Sequence, residues 1–176
     1  MLLHVRRSLI ITVIFFASLG LMYPLTETAI GQAFFNHQSN GSLTQFGSIL
    51  VGQKWAGPKW FQGRPDPYNP MSTGGSNLGP RSQALVNDVA KQIKILKNEG
   101  IAPTSGLVTT SGSGIDPDIS PAAAYAQVDA VAKARALPVA KVRQLVTNHI
   151  SGAQFGFLGS PYVNVLLLNE GLSTLK

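Results

Sequence analysis

The sequence contains no cysteine, which excludes disulfide frameworks, thiolate nucleophiles and cysteine-ligated zinc. Histidine is nearly as scarce. His4, His37 and His149 stand far apart with no ligand spacing, so nothing supports a metal site. Charge is also sparse, with Asp, Glu, Lys and Arg making up 12% of the chain. The formal net charge of +6 is spread thinly, and setting aside Arg6, Arg7 and Glu27 leaves 12 basic and 7 acidic residues. No dense basic run exists to track a phosphate backbone, so nucleic acid is not an expected partner. There is no Gly-x-Ser-x-Gly elbow, P-loop or dinucleotide fingerprint, and no internal repeat. Apolar residues, by contrast, make up 44% of the 176 residues, enough for one packed domain plus a short extra element.

Much of that apolar content is gathered near the start. Ser8 to Thr26 is free of charge over 19 residues, with Arg6 and Arg7 just before it and Glu27 just after. As a helix this stretch spans about 28 Å, close to the roughly 30 Å of a bilayer core. A cleaved signal peptide has a shorter core and a small-x-small site, and Thr-Ala-Ile-Gly at 28–31 matches such a site poorly. The arginine pair also fits a twin-arginine export signal, although two arginines at a membrane boundary more simply set orientation. With the positive side inside, the expected layout is a cytoplasmic N-terminus at 1–7, a transmembrane helix at 8–27, a connector at 28–45 and a single extracytoplasmic domain at 46–176.

In the outer domain, Ile49-Leu50-Val51 reads as a short strand. Lys54 to Pro80 is a long loop rich in Pro, Gly and aromatics, and Trp55, Trp60, Phe61 and Tyr68 argue that it folds back onto the body. Leu85, Val89, Ile93 and Leu96 recur at helical spacing and predict an amphipathic helix over 82–98, stopped at Glu99-Gly100. Leu107 to Thr110 reads as a strand. Ser120-Pro121 is an N-cap with proline at the first helical position, opening a helix through Ala136. Leu137-Pro138 breaks it and starts another helix to about His149, and Tyr162 to Leu168 reads as a buried strand. The expected fold class is therefore α/β: one N-terminal transmembrane helix, then a single small α/β domain with a long Pro/Gly/aromatic-rich loop.

Two constellations invite chemistry. Ser111-Gly112-Ser113-Gly114 can cradle a phosphate on backbone amides, or simply make a tight turn between elements. Asp116 and Asp118 can perform acid–base work or bind a hard cation, or favour the dipole of the helix that opens at Ser120. On the first of those readings, the chain would be a membrane-tethered extracytoplasmic hydrolase using Asp116 and Asp118.

The motifs carry a resemblance that reaches across the whole chain. Gly63-Arg64-Pro65, Tyr68-Asn69-Pro70 and Gly74-Gly75-Ser76-Asn77-Leu78-Gly79-Pro80 resemble the long-loop signature of the C subunit of Kdp potassium-transporting ATPases. Further along, Ser111-Gly112-Ser113-Gly114-Ile115-Asp116-Pro117 and Ile119-Ser120-Pro121-Ala122-Ala123-Ala124 match as well. So do Leu158-Gly159, Pro161 and Val163-Asn164-Val165-Leu166 near the end, and Gly47-Ser48 with Gly52-Gln53 earlier. The resemblance implies a non-catalytic accessory subunit of an inner-membrane P-type potassium pump. Its partners would be a channel-like A subunit, an ATP-hydrolysing B subunit and a small F subunit. By family description it would act as a catalytic chaperone that raises the ATP affinity of the B subunit, with no cofactor of its own and with ATP and potassium handled by the complex. Loop-defining or partner-interface residues would be Gly63, Arg64, Pro65, Asn69, Gly74, Gly75, Ser76, Asn77, Ser111, Gly112, Ser113, Gly114, Asp116 and Pro117. Asp118 departs from the family's usual histidine and Asp66 from its common serine. Thr73 also replaces a serine, and Ser160 and Tyr162 replace a more charged pair.

Overall fold

The computed structural model describes residues 1–55 and 57–175; Ala56, inside the expected long loop, and Lys176, at the end of the expected outer domain, lie outside the described residues. The chain divides into two compact units, Met1–Leu43 and Thr44–Lys176.

The first unit is built on α1 (Leu2–Phe34), which is the one helix among the described residues long and apolar enough to cross a membrane. Its 33 residues reach about 50 Å at 1.5 Å each, well beyond the roughly 30 Å of a bilayer core. Pro24 has no N–H to give and would press on the carbonyl four residues back. The turns just before it, Phe16–Met22, widen to the π form, which makes room for the ring. The helix also runs past the expected boundary, because residues 28–34, read as connector, continue it. Thr26 and Thr28 return their hydroxyls to the carbonyls of Met22 and Pro24, at 2.7 and 2.8 Å, so neither breaks the helix. A single further turn, α2 (Asn36–Ser39), follows.

Two short strands, β1 (Leu43–Thr44) and β2 (Gly47–Ser48), pair with each other. The expected strand at 49–51 is instead a turn, because the Ser48 hydroxyl accepts from the Leu50 amide at 3.1 Å and ends the ladder. The long loop comes next, and α3 (Gln83–Asn98) forms where the spacing predicts it. At its end the Ile101 amide donates to the Leu96 carbonyl at 2.8 Å, across Gly100 at φ +74°, a Schellman closure with Leu96 and Ile101 both buried. Leu107–Thr110 is not a strand. Ser105–Val108 makes one helical turn, α4, sealed by the Thr109 hydroxyl on the Ser105 carbonyl at 2.7 Å. So short an apolar run has no period of its own.

β3 (Asp118–Ile119), β4 (Ile150–Ser151) and β5 (Tyr162–Asn164) form an antiparallel sheet in the order β3-β5-β4, with Ile119 and Ile150 both opposite Val163. The Ser120 hydroxyl accepts from the Ala123 amide at 3.2 Å and caps α5 (Pro121–Tyr125), as its sequence predicts. Ser120→Ala is expected to lower the unfolding free energy by about 1 kcal/mol, read as a fall in melting temperature with no change in oligomeric state. The helix expected to continue through Ala136 divides at Gln127, and α6 (Val128–Arg135) then ends on Ala136 at φ +54°. α7 (Val139–Asn148) follows Leu137-Pro138 as expected.

The last expectation is half right. The strand stops at Asn164, whose side chain accepts from the Leu167 amide at 3.2 Å and opens α8 (Val165–Thr174). Val165, Leu168, Asn169 and Leu172 then fall on one buried face at helical spacing. The overall class is α/β, dominated by helices, with its core where α5–α8 and the sheet converge on Leu107, Val128, Val142, Val163, Leu168 and Leu172.

The long loop is ordered against this core, as its aromatics require. Phe61 is fully buried, and Trp55 packs on Trp60 with ring centroids 5.0 Å apart. Two buried amides hold the backbone on either side of that anchor. Asn169 accepts from the Phe61 N–H and donates to the Phe61 carbonyl, both at 2.9 Å. Gln127 does the same for Gln62, accepting at 2.7 Å and donating at 3.0 Å. Each side chain replaces the strand neighbour that the loop lacks. Arg135 completes the hold, giving Nε to the Lys59 carbonyl at 2.8 Å and lying 4.4 Å over the Trp60 ring.

Candidate functional site

The clasps on Phe61 and Gln62 deliver the next residues, 63–68, against the 111–118 segment. The centre of the junction is Asp66, which is buried. Its Oδ1 accepts from the Ser111 amide at 2.7 Å, and its Oδ2 accepts from the Ser111 hydroxyl at 2.6 Å and the Asp116 amide at 3.2 Å. Three donors on one carboxylate tie the two segments together. The Ser111 hydroxyl in turn accepts from the Gly114 amide at 2.8 Å, and the Ser113 hydroxyl from the Ile115 amide at 3.3 Å.

Backbone bonds close the remaining sides. Tyr68 N–H reaches the Gly114 carbonyl at 3.0 Å, Gly74 N–H the Ser113 carbonyl at 2.7 Å, and Gly52 N–H the Ile115 carbonyl at 2.8 Å. This packing leaves no room for side chains at two glycines. A Cβ on Gly52 would lie 2.5 Å from the Asp116 carbonyl oxygen. One on Gly114, at φ +71°, would lie 2.7 Å from that of Gly74.

Arg64 flanks the junction. Its Nε lies 3.2 Å from Asp116 Oδ2, a charge contact without the alignment of a hydrogen bond, and its Nη1 donates to the Thr109 carbonyl at 3.3 Å. With both partners about a third exposed, the pair contributes on the order of 0–1 kcal/mol. Tyr68 gives its hydroxyl to the Arg64 carbonyl at 2.7 Å. Burial first, then the Asp66 and Asp116 carboxylates, push its phenol well above the usual range, so it stays a neutral donor. Asp116 Oδ1 also accepts from the Asp118 amide at 3.0 Å. The Asp118 carboxyl is raised, chiefly by burial and further by Asp116, against the opposing hydrogen bond from Asn164 at 3.0 Å. A cavity of about 300 Å³ opens beside Arg64, walled by Trp55, Gln62, Tyr68, Gln92 and Ile95; neither Asp116 nor Asp118 lines it.

Of the residues singled out by sequence, Gly63, Arg64, Pro65, Gly74, Gly75, Ser111, Gly112, Ser113, Gly114 and Asp116 converge here. Gly75 lies beside the Gly112 carbonyl, and the Pro117 carbonyl accepts from the Val165 amide at 3.0 Å at the sheet edge. Asn69, Ser76 and Asn77 are exposed, and Ser76 lines a second cavity of about 280 Å³ together with Pro65, Thr109 and Thr110. Asn69 turns the chain by accepting from the Met71 amide at 3.0 Å, and Asn77 sits at φ +53°. Sequence reasoning missed Asp66, Gln127 and Asn169. A lone acid between two prolines, and single amides in apolar helix faces, were the only signals available. The Ser111–Gly114 segment is a turn whose hydroxyls are spent on its own amides, and no strand precedes it. Among the described residues, no three His, Cys, Asp or Glu side chains are grouped to hold a metal ion.

The site's motifs and the apolar helix lie within one family likeness. The family described as KdpC, K+-transporting ATPase, c chain, matches residues 5–174. The potassium-transporting ATPase KdpC subunit of Paraburkholderia phytofirmans is 45% identical, over 97% of this chain and 96% of its own. Its counterpart in Sorangium cellulosum is 46% identical over 98% of each. That of Burkholderia mallei is 46% identical over 97% of this chain and 96% of its own. From the apolar helix to the last turn of α8, the chain belongs to the KdpC family, the c chain of the K+-transporting ATPases.

Proposed function

We propose that the chain is the accessory subunit of an ATP-driven, high-affinity potassium pump, required for its assembly and for tight ATP binding by the hydrolysing B subunit. The observation that carries this reading is the likeness over residues 5–174, which takes in both the apolar helix and the folded unit. In this reading α1 crosses the inner membrane with residues 1–7 in the cytoplasm, and packs among the helices of the channel-like A subunit, the B subunit and the small F subunit. The folded unit stands outside. ATP and potassium bind the partners, and this chain carries neither nucleotide nor metal and catalyses nothing by itself.

The local chemistry supports a positioning role. Asp66, Ser111 and Ser113 are hydrogen-bonded to backbone amides, and Asp116 accepts from an amide and lies in charge contact with a guanidinium, so these groups shape a surface and leave no free nucleophile–base pair among them. An outer unit reaches the B subunit's nucleotide only through the pump's conformational equilibrium, so the effect on ATP affinity is an indirect coupling. The test is to purify the pump with and without this subunit. Without it, the remaining subunits are expected to dissociate more readily and to need more ATP for half-maximal turnover. A pump that keeps full assembly, ATP affinity and potassium affinity without the chain refutes the proposal. A reactive nucleotide analogue that labels residues 46–175 in sealed, correctly oriented vesicles refutes the indirect route.

A further inference from the structure

Between β4 and β5 the chain makes a tight hairpin whose turn, Phe155 to Phe157, lies outside the family motifs that begin again at Leu158-Gly159. Gln154 and Leu158 exchange both backbone hydrogen bonds at 2.9 Å, which closes a tight turn over Phe155, Gly156 and Phe157. Phe155 holds φ +52°, a strained conformation for an aromatic residue, and Gly156 follows at φ +83°. The turn points its large side chains away from the protein. Phe155 is 87% exposed, Phe157 76%, Leu158 49% and the neighbouring Tyr162 41%. No Asp, Glu, Lys or Arg occurs from Gln144 to Asn169, so the projection itself carries no charge.

We infer that this tip, Phe155 to Leu158 with Tyr162 beside it, inserts into the interfacial layer of a lipid bilayer. Three features favour lipid over a protein partner. Phenylalanine, leucine and tyrosine without flanking charge suit the boundary between headgroups and acyl chains. The tip presents a few hundred Å² at most, short of the roughly 800 Å² per partner of a standard protein interface. Lipid, in contrast, needs no complementary surface. The chain also carries α1, so a membrane-anchored copy keeps the folded unit at high effective concentration beside a bilayer, and weak insertion suffices. The inference rests on α1 being a membrane anchor, and it adds a second contact that fixes how the folded unit is held.

The absence of native cysteine allows a direct test in the full chain. Phe157→Cys carries an environment-sensitive dye at the tip, and Asn98→Cys carries it at the exposed end of α3 as reference. Both are reconstituted into phosphatidylcholine vesicles and checked by flotation. The tip dye is expected to be quenched severalfold more by a shallow spin-labelled lipid than the reference dye, and severalfold less by aqueous iodide. The same difference is expected when anionic lipid is added, because no charge takes part. Adding Phe155→Gln and Leu158→Gln should restore iodide access at position 157. A floating protein whose two dyes respond alike overturns the insertion while leaving the anchor intact. A tip shielded only when the other pump subunits are present overturns it in favour of a protein partner. A chain that fails to float refutes the anchor, and the insertion with it.

Discussion

Replacing Asn169 by leucine is expected to release the long loop from the core and cost about 2–6 kcal/mol. Leucine keeps asparagine's branching, but its larger methyls cannot approach the Phe61 backbone to 2.9 Å, so the loop must move off α8 as its polar bonds are lost. The Phe61 N–H and carbonyl, each paired with Asn169 at 2.9 Å, are left buried with no partner. Each such group costs on the order of 1–3 kcal/mol. Against a total stability of roughly 5–15 kcal/mol for a domain, that is a large share. The loop cannot replace the bonds locally, because its prolines at 58, 65 and 67 limit how it can shift.

Both tryptophans of the chain, Trp55 and Trp60, lie in this loop beside Phe61. Their fluorescence therefore reports loop release separately from helix melting followed by circular dichroism. The tryptophan transition should fall by roughly 10 °C or more. It should also precede the helical one in Asn169→Leu while the two coincide in the parent. A variant with coincident transitions at the parent temperature would show that the clasp adds nothing to stability. Gln127→Leu should behave alike, and the double variant should cost less than the sum, since the two amides hold adjacent peptide units.

What sequence made visible was periodic or capped. The long apolar helix, α3, the Ser120 cap and the break at Leu137-Pro138 follow from composition, spacing and single residues with strong local preferences. The failures share a cause. At 49–51, 107–110 and 165–168 the apolar runs are only three or four residues long, and hydrogen bonds from Ser48, Thr109 and Asn164 decided their form. At the site, glycines and prolines announced a long shaped loop, and the family motifs picked out most of what converges. Asp66, Gln127 and Asn169 stayed hidden, because their partners lie 45, 65 and 108 residues away. Nothing in a local window distinguishes a buried amide that grips a remote backbone from one that faces water.

The second large effect is expected at Asp66. Alanine there removes the acceptor for the amides of Ser111 and Asp116 and for the Ser111 hydroxyl. Hydrogen bonds to a charged group contribute about 1.5–3 kcal/mol each, so the 111–118 segment should lose several kcal/mol of local stability. The effect should be confined to that segment. Phe61 and Gln62 remain clasped by Asn169 and Gln127, and Tyr68 and Gly74 still bond the backbone at 114 and 113. Amide hydrogen exchange should therefore accelerate at least 100-fold at Ser111, Gly114 and Asp116, equivalent to about 2.7 kcal/mol. Amides inside α6 and α8 should change little. Asp66→Asn should fall between, because its oxygen can keep the Ser111 amide while its NH₂ group opposes the Asp116 N–H. Unchanged exchange at Ser111 in Asp66→Ala would remove Asp66 from the centre of the site. Uniform acceleration across α6 and α8 would make it a general core residue instead of the pin between two loops.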